Sequence, residues 1–251
     1  MKERISRGDY LYGLFCSTPA ALTVELIAAA GYDFLVIDLE HALIGPEQLS
    51  FMLMASRASG IPALVRVAAP YQAQQALDNG AEGIVFPRIQ SRRQAIEAVR
   101  SCHFAPLGSR GLNSTFHSGY GRDDLSVAVR DMSRDTLVIA MIEDLIGVEN
   151  ADEIAATVGV DILLEGAADL SQDLGVVWQT RHPLVQSGMA KVRQTTLKNG
   201  KIFCALPRAP EDFEAATSEG IRLFIVGDDR GIARRAMNAH LTQYREKRDE
   251  T

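Results

Sequence analysis

The feature that most constrains the fold is a regular alternation of short apolar runs and helix-like segments along the whole chain. Eight apolar runs have the length and composition of strands: LYGLFCS, FLVIDLE, PALVRV, GIVFPRI, LVIAMIE, DILLEGA, KIFCALP and RLFIVG. The segments between them include six with helical spacing: ALTVELIAAA, PEQLSFMLMASRA, RQAIEAVRSC, VENADEIAATV, HPLVQSGMAKVRQTTLKN and PEDFEAATSE. Strict alternation of strands and helices predicts a parallel sheet that is covered by helices.

Four helix-like segments end in the same way, which indicates an internal repeat. Each has a glycine and a short polar linker directly before an even-numbered strand, at Gly31, Gly80, Gly159 and Gly220. Glycine suits the left-handed backbone position that ends a helix. Four such half-units favour a closed (β/α)8, or TIM, barrel that occupies residues 1–251 as one domain. The alternative is an open doubly wound sheet, but the first strand lacks the GxGxxG typical of that fold.

Length and composition agree with one barrel domain and exclude several classes of protein. A chain of 251 residues suits a single α/β barrel. No run approaches the ~18 apolar residues of a membrane span. The charged start MKERISRGDY has no apolar region behind it, so we expect neither a signal peptide nor a membrane partner.

Charge and cysteine content predict a cytoplasmic protein that does not bind nucleic acid. The net charge is −6, whereas neutralising phosphates requires a basic surface. Cys16, Cys102 and Cys204 are far apart and have no metal-binding spacing. We expect these three cysteines to be reduced, as in the cytoplasm.

One long irregular segment, FAPLGSRGLNSTFHSGYGRDD at residues 104–124, interrupts the alternation between the fourth helix and the fifth strand. A loop of this length inside a compact domain is usually functional or disordered. Because it follows a helix, we expect it to reach the fifth strand from the amino-terminal end of the barrel.

Ionisable residues recur where the predicted strands end. The carboxyl ends of the strands carry the chemistry of such barrels, and all of them meet at one rim. Side chains that are far apart in sequence can therefore converge there. The residues in question are Asp38, Glu40 and His41 after strand two, Arg66 in strand three, Pro87 and Arg88 after strand four, Glu143 and Asp144 after strand five, and Asp169 and Ser171 after strand six.

Glu143 and Asp169 are two carboxylates at one end of neighbouring strands. Two hard oxygen ligands, with water completing the shell, suit Mg²⁺ or Mn²⁺. The alternative is that both are solvated loop acids, and spacing alone does not decide between the two.

His41 and Arg66 are candidates for acid–base chemistry and for anion binding. A neutral imidazole can act as a general base near pH 7, although a histidine here could also cap a surface turn. Arg66 stands in the otherwise apolar run PALVRV. Its guanidinium must find a carboxylate or an anionic ligand.

Five motifs in order resemble those of the HpcH/HpaI family of metal-dependent (class II) 2-oxo-acid aldolases. The resemblance extends from about Leu11 to Ala239. The motifs are GYDFLVIDLEHALIG, LVRV, LDNGAEGIVFPRIQS, SRGLNS and IEDLIGVENADEIAATVGVDILLEGAADLSQDLG. Each motif is weak alone, but all five in order are specific.

The resemblance implies a (β/α)8 barrel whose last helix is exchanged between subunits of a homo-oligomer, usually a hexamer built as a trimer of dimers. It implies a divalent metal, Mg²⁺ or alternatively Mn²⁺ or Co²⁺, on Glu143 and Asp169. Pyruvate or a related 2-oxo acid would chelate this metal. On this view the charges of FLVIDLEH belong to a wet, metal-bearing mouth and lie outside the barrel core.

Roles for single residues also follow from the resemblance. Arg66 would bind the keto oxygen and the enolate charge that develops on it. His41 would act as a base through a water molecule and would be oriented by Asp78. The turn that would hold the 2-oxo acid consists of Gly166, Ala168 and Asp169.

The implied activity is a carbon–carbon lyase that cleaves or forms 4-hydroxy-2-oxo acids through a pyruvate-type enolate. No lysine stands at a strand end within residues 1–180, which argues against a Schiff base. Met141, Glu165 and Ala167 depart from the family pattern around the 2-oxo acid. A citrate-forming condensation of oxaloacetate with acetyl-CoA for siderophore biosynthesis is therefore the alternative. A barrel that binds a metabolite without catalysis is a weaker one.

Overall fold

The computed structural model describes residues 1–249, whose eight parallel strands close into a barrel with neighbours in sequence order. Pairing of β1 with β8 closes the ring. The strands are β1 (Leu11–Cys16), β2 (Phe34–Asp38), β3 (Ala63–Arg66), β4 (Gly83–Phe86), β5 (Leu137–Ile142), β6 (Ile162–Glu165), β7 (Ile202–Ala205) and β8 (Leu223–Asp228). The predicted (β/α)8 barrel is thereby confirmed.

Helices connect the strands and cover the outside of the barrel. They are α1 (Lys2–Ser6), α2 (Ala21–Ala29), α3 (Pro46–Ser59), α4 (Gln72–Asp78), α5 (Arg92–Cys102), α6 (Leu125–Asp135), α7 (Leu145–Glu149), α8 (Ala151–Ala155), α9 (Ala167–Asp173), α10 (Pro183–Lys198), α11 (Pro210–Ser218) and α12 (Asp229–Asp249). Within residues 1–249, no helix combines the length and the apolar character that a membrane crossing requires.

Two apolar layers explain why the strands are hydrophobic on both faces. Alternate residues of β2, Phe34 and Val36, point into the barrel, where they join a cluster with Leu64 and Met141. The residues between them, such as Leu35, pack outward against the helices. Since side chains alternate along a strand, the whole of β2 is buried. Polar side chains can leave the core only at the strand ends.

The four repeated glycines adopt the predicted backbone conformation. Gly31, Gly80, Gly159 and Gly220 have φ angles of 89°, 112°, 93° and 84°. Only glycine reaches this region without steric cost. These glycines end the helical segments and return the chain to β2, β4, β6 and β8.

The helices differ from the prediction in several places. Five of them, α1, α4, α6, α9 and α12, have no counterpart among the six predicted segments. Helix α6 buries little apolar surface, chiefly Ala128 and Met132. The segment VENADEIAATV was expected to form one helix, but the chain breaks at Asn150 between α7 and α8. The Asn150 amide donates a hydrogen bond to the Gln90 carbonyl at 2.8 Å. This side-chain contact competes with helix continuation.

The long segment reaches β5 from the amino-terminal end of the barrel, as predicted. Arg110 of this segment donates to the Asp78 carboxylate at 2.6 Å. The His117 ring lies 3.3 Å from the Leu77 carbonyl oxygen. Asp78 is the last residue of α4, which leads back toward the start of β4, so both contacts lie at the end opposite the mouth.

Candidate active site

A buried ion pair joins the ends of β2 and β3. Asp38 and Arg66 are register partners and both are almost inaccessible, with 2% and 7% exposed. Arg66 Nε donates to Asp38 Oδ1 at 2.9 Å, and Arg66 Nη2 donates to Asp38 Oδ2 at 2.8 Å. The pair is therefore bidentate, the geometry in which arginine binds a carboxylate most specifically.

Asp38 also fixes the turn that follows β2. Its Oδ1 atom accepts hydrogen bonds from the backbone N–H groups of Glu40 at 3.1 Å and His41 at 3.3 Å. The Ser17 hydroxyl donates to Oδ2 at 3.4 Å. Burial would raise the pKa of Asp38, but the hydrogen bonds and charge of Arg66 outweigh it and hold this pKa below its ordinary value. Asp38 therefore remains ionised inside the barrel.

The buried Asp38 corrects one expectation. The charges of FLVIDLEH were expected to lie in a wet mouth, and for Asp38 this is wrong. The Arg66 guanidinium was expected to meet a bound 2-oxo acid, but its first partner is this carboxylate. Its planar face also lies over the Phe15 ring, 4.6 Å from the centroid. Arg66 is thus held in place by the protein alone.

The other end of the guanidinium faces the mouth. Arg66 Nη1 lies 3.4 Å from Glu40 Oε2 and 3.9 Å from the Met141 sulfur. Glu40 Oε2 is buried and accepts no hydrogen bond within the part of the chain that the structure describes. The Nη1 group is therefore the part of Arg66 that is left for a ligand, beside an oxygen that lacks a donor.

Glu143 follows β5 and is also buried, with 3% exposed. Its Oε1 atom accepts a hydrogen bond from the Arg88 backbone N–H at 2.7 Å. Gly166 makes room for it, since a Cβ atom at residue 166 would lie 2.2 Å from the Glu143 Cβ. The pKa of Glu143 is raised to about 7, chiefly by burial and also by the negative charges of Asp169 and Glu40. The Arg88 N–H and the charge of Arg66 oppose this rise.

The predicted metal ligands fit a divalent cation in their chemistry. Asp169 lies in the first turn of α9, and its charge acts on the buried Glu143. Glu40 supplies a third carboxylate nearby, with an oxygen that has no hydrogen-bond donor. A cation would relieve the repulsion among these acids. Across residues 1–249, no group of three or more His, Cys, Asp or Glu side chains is arranged to hold a metal, so the two-carboxylate site with water stays a prediction.

The proposed substrate turn lies beside Glu143. Gly166 precedes α9, and Ala168 and Asp169 form its first turn. Asp144, the neighbour of Glu143, accepts a hydrogen bond from the Gly147 N–H at 2.7 Å and so caps α7. Its role is structural, whereas the substrate-binding roles of Gly166, Ala168 and Asp169 stay predictions.

His41 and Asp78 are not brought together within one chain. His41 lies at the rim, where its side chain is 54% exposed and its Nε2 atom is 3.6 Å from Glu40 Oε2. Asp78 lies at the opposite end and is paired with Arg110. The expected orientation of His41 by Asp78 therefore has no contact to support it within residues 1–249. The role of His41 as a base stays a prediction.

Sequence reasoning missed three contributors to this site. Asp38 was noted at the rim without a role, although a carboxylate ending a doubly buried strand is a signal that could have identified it. Phe15 gave no signal, because an aromatic residue in a strand is ordinary. Arg88 was noted at the rim, but its contribution was missed: its backbone N–H donates to Glu143. Its φ angle of 52° gives no signal in the sequence, because the residue is not glycine.

Glu165, at the end of β6, is the unusual acid noted in the sequence. Its Oε2 atom accepts a hydrogen bond from the Leu206 N–H at 3.1 Å. Burial raises the pKa of Glu165 to about 7, and this hydrogen bond and the charges of Arg193 and Arg208 only partly oppose it. The carboxyl group is therefore largely protonated in mildly acidic solution.

Comparison with known proteins agrees with this geometry. The sequence profile of the HpcH/HpaI aldolase/citrate lyase family matches residues 11–236. The chain belongs to the HpcH/HpaI family. A hydroxypyruvate/pyruvate aldolase from Roseobacter denitrificans is 32% identical over 91% of this chain and 90% of its own length.

Two solved structures are similar to this chain along nearly its whole length. The crystal structure of citrate synthase SbnG has a TM-score of 0.92 and 41% identity, covering 99% of this chain and 98% of that one. The HpcH/HpaI aldolase from Desulfitobacterium hafniense DCB-2 has a TM-score of 0.92 and 27% identity, covering 98% and 96%. The predicted family is confirmed. The predicted enzyme class, an aldolase-type carbon–carbon lyase with citrate-forming relatives, is confirmed with it.

We expect Asp38→Asn to destabilise the fold by about 2–4 kcal/mol, because it leaves the buried Arg66 charge without its carboxylate. The measurement is the urea unfolding midpoint at pH 7, with the slope unchanged. The lowered pKa of Asp38 means that its stabilisation is present above the ordinary carboxyl pKa and is lost as pH falls through the lowered value. The difference between variant and wild type should therefore shrink in acid.

The control for this prediction is Asp135→Asn, which removes an exposed carboxylate 2.8 Å from Arg134. Exposed pairs contribute little, so this variant should unfold like the wild type. Equal stability of Asp38→Asn and wild type would contradict a role for Asp38 in holding the Arg66 charge.

The raised pKa of Glu165 predicts a pH-dependent stability. An acid whose pKa is higher in the folded state binds more protons there, so the free energy of unfolding falls as pH rises from about 4.5 to 7. Glu165→Gln should remove this part of the pH dependence. The measurement is the urea unfolding midpoint of variant and wild type at pH 5.5 and pH 8, in EDTA so that no metal is bound. The raised pKa of Glu143 contributes to both proteins with the same sign, so the difference between them reports Glu165. An unchanged difference between the two pH values in the variant would refute the assignment.

Proposed function

We propose that this protein is a divalent-metal-dependent aldolase that cleaves or forms 4-hydroxy-2-oxo acids through a pyruvate-type enolate. The observation that carries the proposal is the fixed Arg66 guanidinium, whose Nη1 group faces the mouth beside the buried Glu40 oxygen. An arginine held this way needs no reorganisation when negative charge develops near it. The name of the Roseobacter relative, a hydroxypyruvate/pyruvate aldolase, supports a 2-oxo acid as the donor.

Glu143 and Asp169 would hold the cation, with Mg²⁺ as our first choice and Mn²⁺ or Co²⁺ as alternatives. When bound, a divalent cation polarises the keto oxygen of a 2-oxo acid and neutralises part of the charge on the enolate. Glu143 is kept beside it by the Arg88 N–H and by the close approach of Gly166. Gly166 and Ala168 would line the carboxylate of the bound acid.

Arg66 would stabilise the enolate from the other side. Carbon–carbon cleavage leaves an electron pair next to a carbonyl group, and the keto oxygen becomes an oxyanion. Arg66 Nη1 donates toward that position while Asp38 holds Nε and Nη2. Because the pair is almost inaccessible to water, a hydrogen bond to the oxyanion is stronger here than at an exposed site.

His41 would move the proton. In cleavage, the base takes the proton of the 4-hydroxyl group, the bond between C3 and C4 breaks, and its electron pair forms the enolate. The exposed position of His41 at the rim leaves space for a bridging water, as the family resemblance implies. Condensation runs through the same steps in reverse.

A citrate-forming condensation is the second candidate. It is favoured by the 41% identity with citrate synthase SbnG over nearly the whole chain. Met141, whose sulfur lies 3.9 Å from Arg66 Nη1, places an apolar atom beside the guanidinium, where the family usually has glutamine. In that reaction the enolate would form on acetyl-CoA, and oxaloacetate would be the bound electrophile. Arg66 and the acids would then hold the electrophile.

We also propose a homo-oligomer in which α12 is exchanged, as the resemblance implies for hexamers. Helix α12 carries an exposed apolar stripe at helical spacing, formed by Met237, Leu241 and Tyr244. The outer faces of α2 and α3 expose a second apolar surface, formed by Leu22, Leu26, Phe51 and Met54. Large exposed apolar patches typically mark protein–protein contacts. The stripe of one subunit would cover the patch of its partner.

We expect metal-dependent turnover of 2-oxo acids. The assay measures pyruvate release from 4-hydroxy-2-oxo acids and, in parallel, CoA release from acetyl-CoA with oxaloacetate. EDTA should abolish activity and Mg²⁺, Mn²⁺ or Co²⁺ should restore it. Glu143→Gln should lower kcat/KM by at least about 10²-fold, because a neutral amide binds a hard cation poorly.

The matched control is Asp144→Asn, which changes the neighbouring acid that caps α7 and accepts a hydrogen bond from the Gln90 side chain. This variant should keep its metal response. Full activity of a metal-free preparation would refute the metal-dependent mechanism. Release of CoA without pyruvate would replace the aldolase by the citrate-forming alternative.

The assembly proposal predicts that Leu241→Asp weakens the oligomer, because it puts a charge into the apolar stripe of α12. Ala239→Asp, on the opposite face of the same helix, should not. Sedimentation velocity at several protein concentrations measures both. A monomeric wild type, or equal effects of the two variants, would contradict the proposed contact.

A further inference from the structure

Two side chains at the barrel mouth have no part in the enolate chemistry proposed above. Arg208 lies just beyond the carboxyl end of β7, and Trp178 lies between α9 and α10. The guanidinium carbon of Arg208 is 5.0 Å from the centroid of the Trp178 ring. Trp178 is 71% exposed, so this stacked pair faces solvent rather than the core.

The backbone conformation of Trp178 and its backbone hydrogen bond fix the point at which its side chain leaves the chain. Its φ angle is 64°, in a region that residues other than glycine rarely adopt. Its N–H donates to the Ser171 hydroxyl at 2.9 Å, and that buried hydroxyl donates to the Ala168 carbonyl at 2.6 Å. Ser171 is two residues beyond Asp169 in α9. The backbone of Trp178 is therefore anchored to the helix that carries the proposed metal ligand.

Arg208 forms no direct ion pair with a carboxylate, although its charge acts on the buried Glu165 carboxyl. Its backbone N–H donates to Asp212 at 3.1 Å, which fixes where the side chain leaves the chain. Among the side chains of residues 1–247, which the structure describes, no carboxylate oxygen lies within ion-pair distance of its guanidinium, whose partner is the Trp178 ring. The nearby Arg181 differs, because it lies 2.8 Å from Glu211 and 3.0 Å from Asp212.

The acids around the mouth indicate what the Arg208 guanidinium would bind. Glu40, Glu143 and Asp169 make the interior of the mouth acidic. The proposed metal ion and Arg66 would both be occupied by the first substrate. A second substrate with a negative charge would be repelled unless another cation met it. Arginine stacked on an aromatic ring keeps its planar edge free to bind a carboxylate or phosphate. Leu206, two residues before Arg208, packs against the apolar cluster inside the barrel that includes Met141.

We infer that Arg208, stacked on Trp178, binds an anionic group of the second substrate, either the carboxylate of an aldehyde or a phosphate of an acyl carrier such as CoA. The inference rests on the proposed enolate chemistry, since it concerns the partner that the enolate meets. Arg208 would select the partner and would take no part in forming the enolate.

The test compares Arg208→Gln with wild type in the metal-loaded enzyme. Exchange of the methyl protons of pyruvate for deuterium, followed by NMR without aldehyde, measures enolate formation alone. Condensation is then measured with 4-oxobutanoate and glyoxylate, with the neutral butanal and acetaldehyde, and with acetyl-CoA plus oxaloacetate. We expect kcat/KM to fall about 10–100-fold for the anionic partners, the scale of one hydrogen bond to a charged group. Neutral aldehydes and deuterium exchange should be unaffected.

The control is Arg181→Gln, which removes the same charge from a guanidinium already bound by two carboxylates. It should leave the preference for anionic partners intact. Trp178 is the only tryptophan in the chain, so its fluorescence gives a readout independent of turnover. Titration with 4-oxobutanoate should change this fluorescence in wild type and much less in Arg208→Gln.

Each outcome decides the inference. A loss confined to 4-oxobutanoate and glyoxylate supports carboxylate recognition, and a loss confined to acetyl-CoA supports phosphate recognition. Equal losses for anionic and neutral partners, no loss for any anionic partner, or the same effect in Arg181→Gln would overturn it. Absence of both deuterium exchange and condensation in wild type would instead refute the proposed function, and the inference with it.

Discussion

The site depends on one buried ion pair, Asp38 with Arg66. Removing two charges from water costs several kcal/mol for each ion, and only good geometry with further hydrogen bonds offsets this. Here two parallel N–H···O bonds join the side chains, and two backbone N–H groups also donate to Asp38. The same carboxylate therefore orients the guanidinium and shapes the turn that carries Glu40 and His41. The free-energy cost of ordering the Arg66 side chain is therefore part of folding, and substrate binding would not have to supply it.

The pair in turn depends on strand register. Asp38 stands opposite Arg66 because β2 and β3 pair as parallel strands with Val36 opposite Leu64. A slip of one residue in either strand would turn that strand's charge toward the helices and separate the pair. The two apolar layers oppose such a slip, since every residue of β2 and β3 is buried. The apolar strands thus specify the chemistry of the site through register.

The sequence predicted the eight strands, the four left-handed glycines and the converging strand ends, because each follows from a local pattern. It did not predict that Asp38 pairs with Arg66. Both residues carry a charge that needs a partner, but the sequence does not show which residue of the neighbouring strand lies opposite. Helix α6 was missed because its apolar face is small. The expected contact of Asp78 with His41 came from resemblance, and the single chain places these residues at opposite ends of the barrel.

Different residues of the mouth would hold the first reactant and contact the second, and this explains how one scaffold could serve two reactions. An enolate on pyruvate and the keto group of oxaloacetate under attack both require acids that hold a cation and a fixed donor for an oxygen that gains negative charge. Glu143, Asp169 and Arg66 offer these groups without specifying which reactant carries the enolate. The choice must then come from residues that contact the rest of the second reactant. Met141, beside Arg66 Nη1, and Arg208, stacked on Trp178, are placed to make that choice. Neither residue belongs to the bidentate pair of Asp38 with Arg66, so specificity could diverge while that pair stays the same.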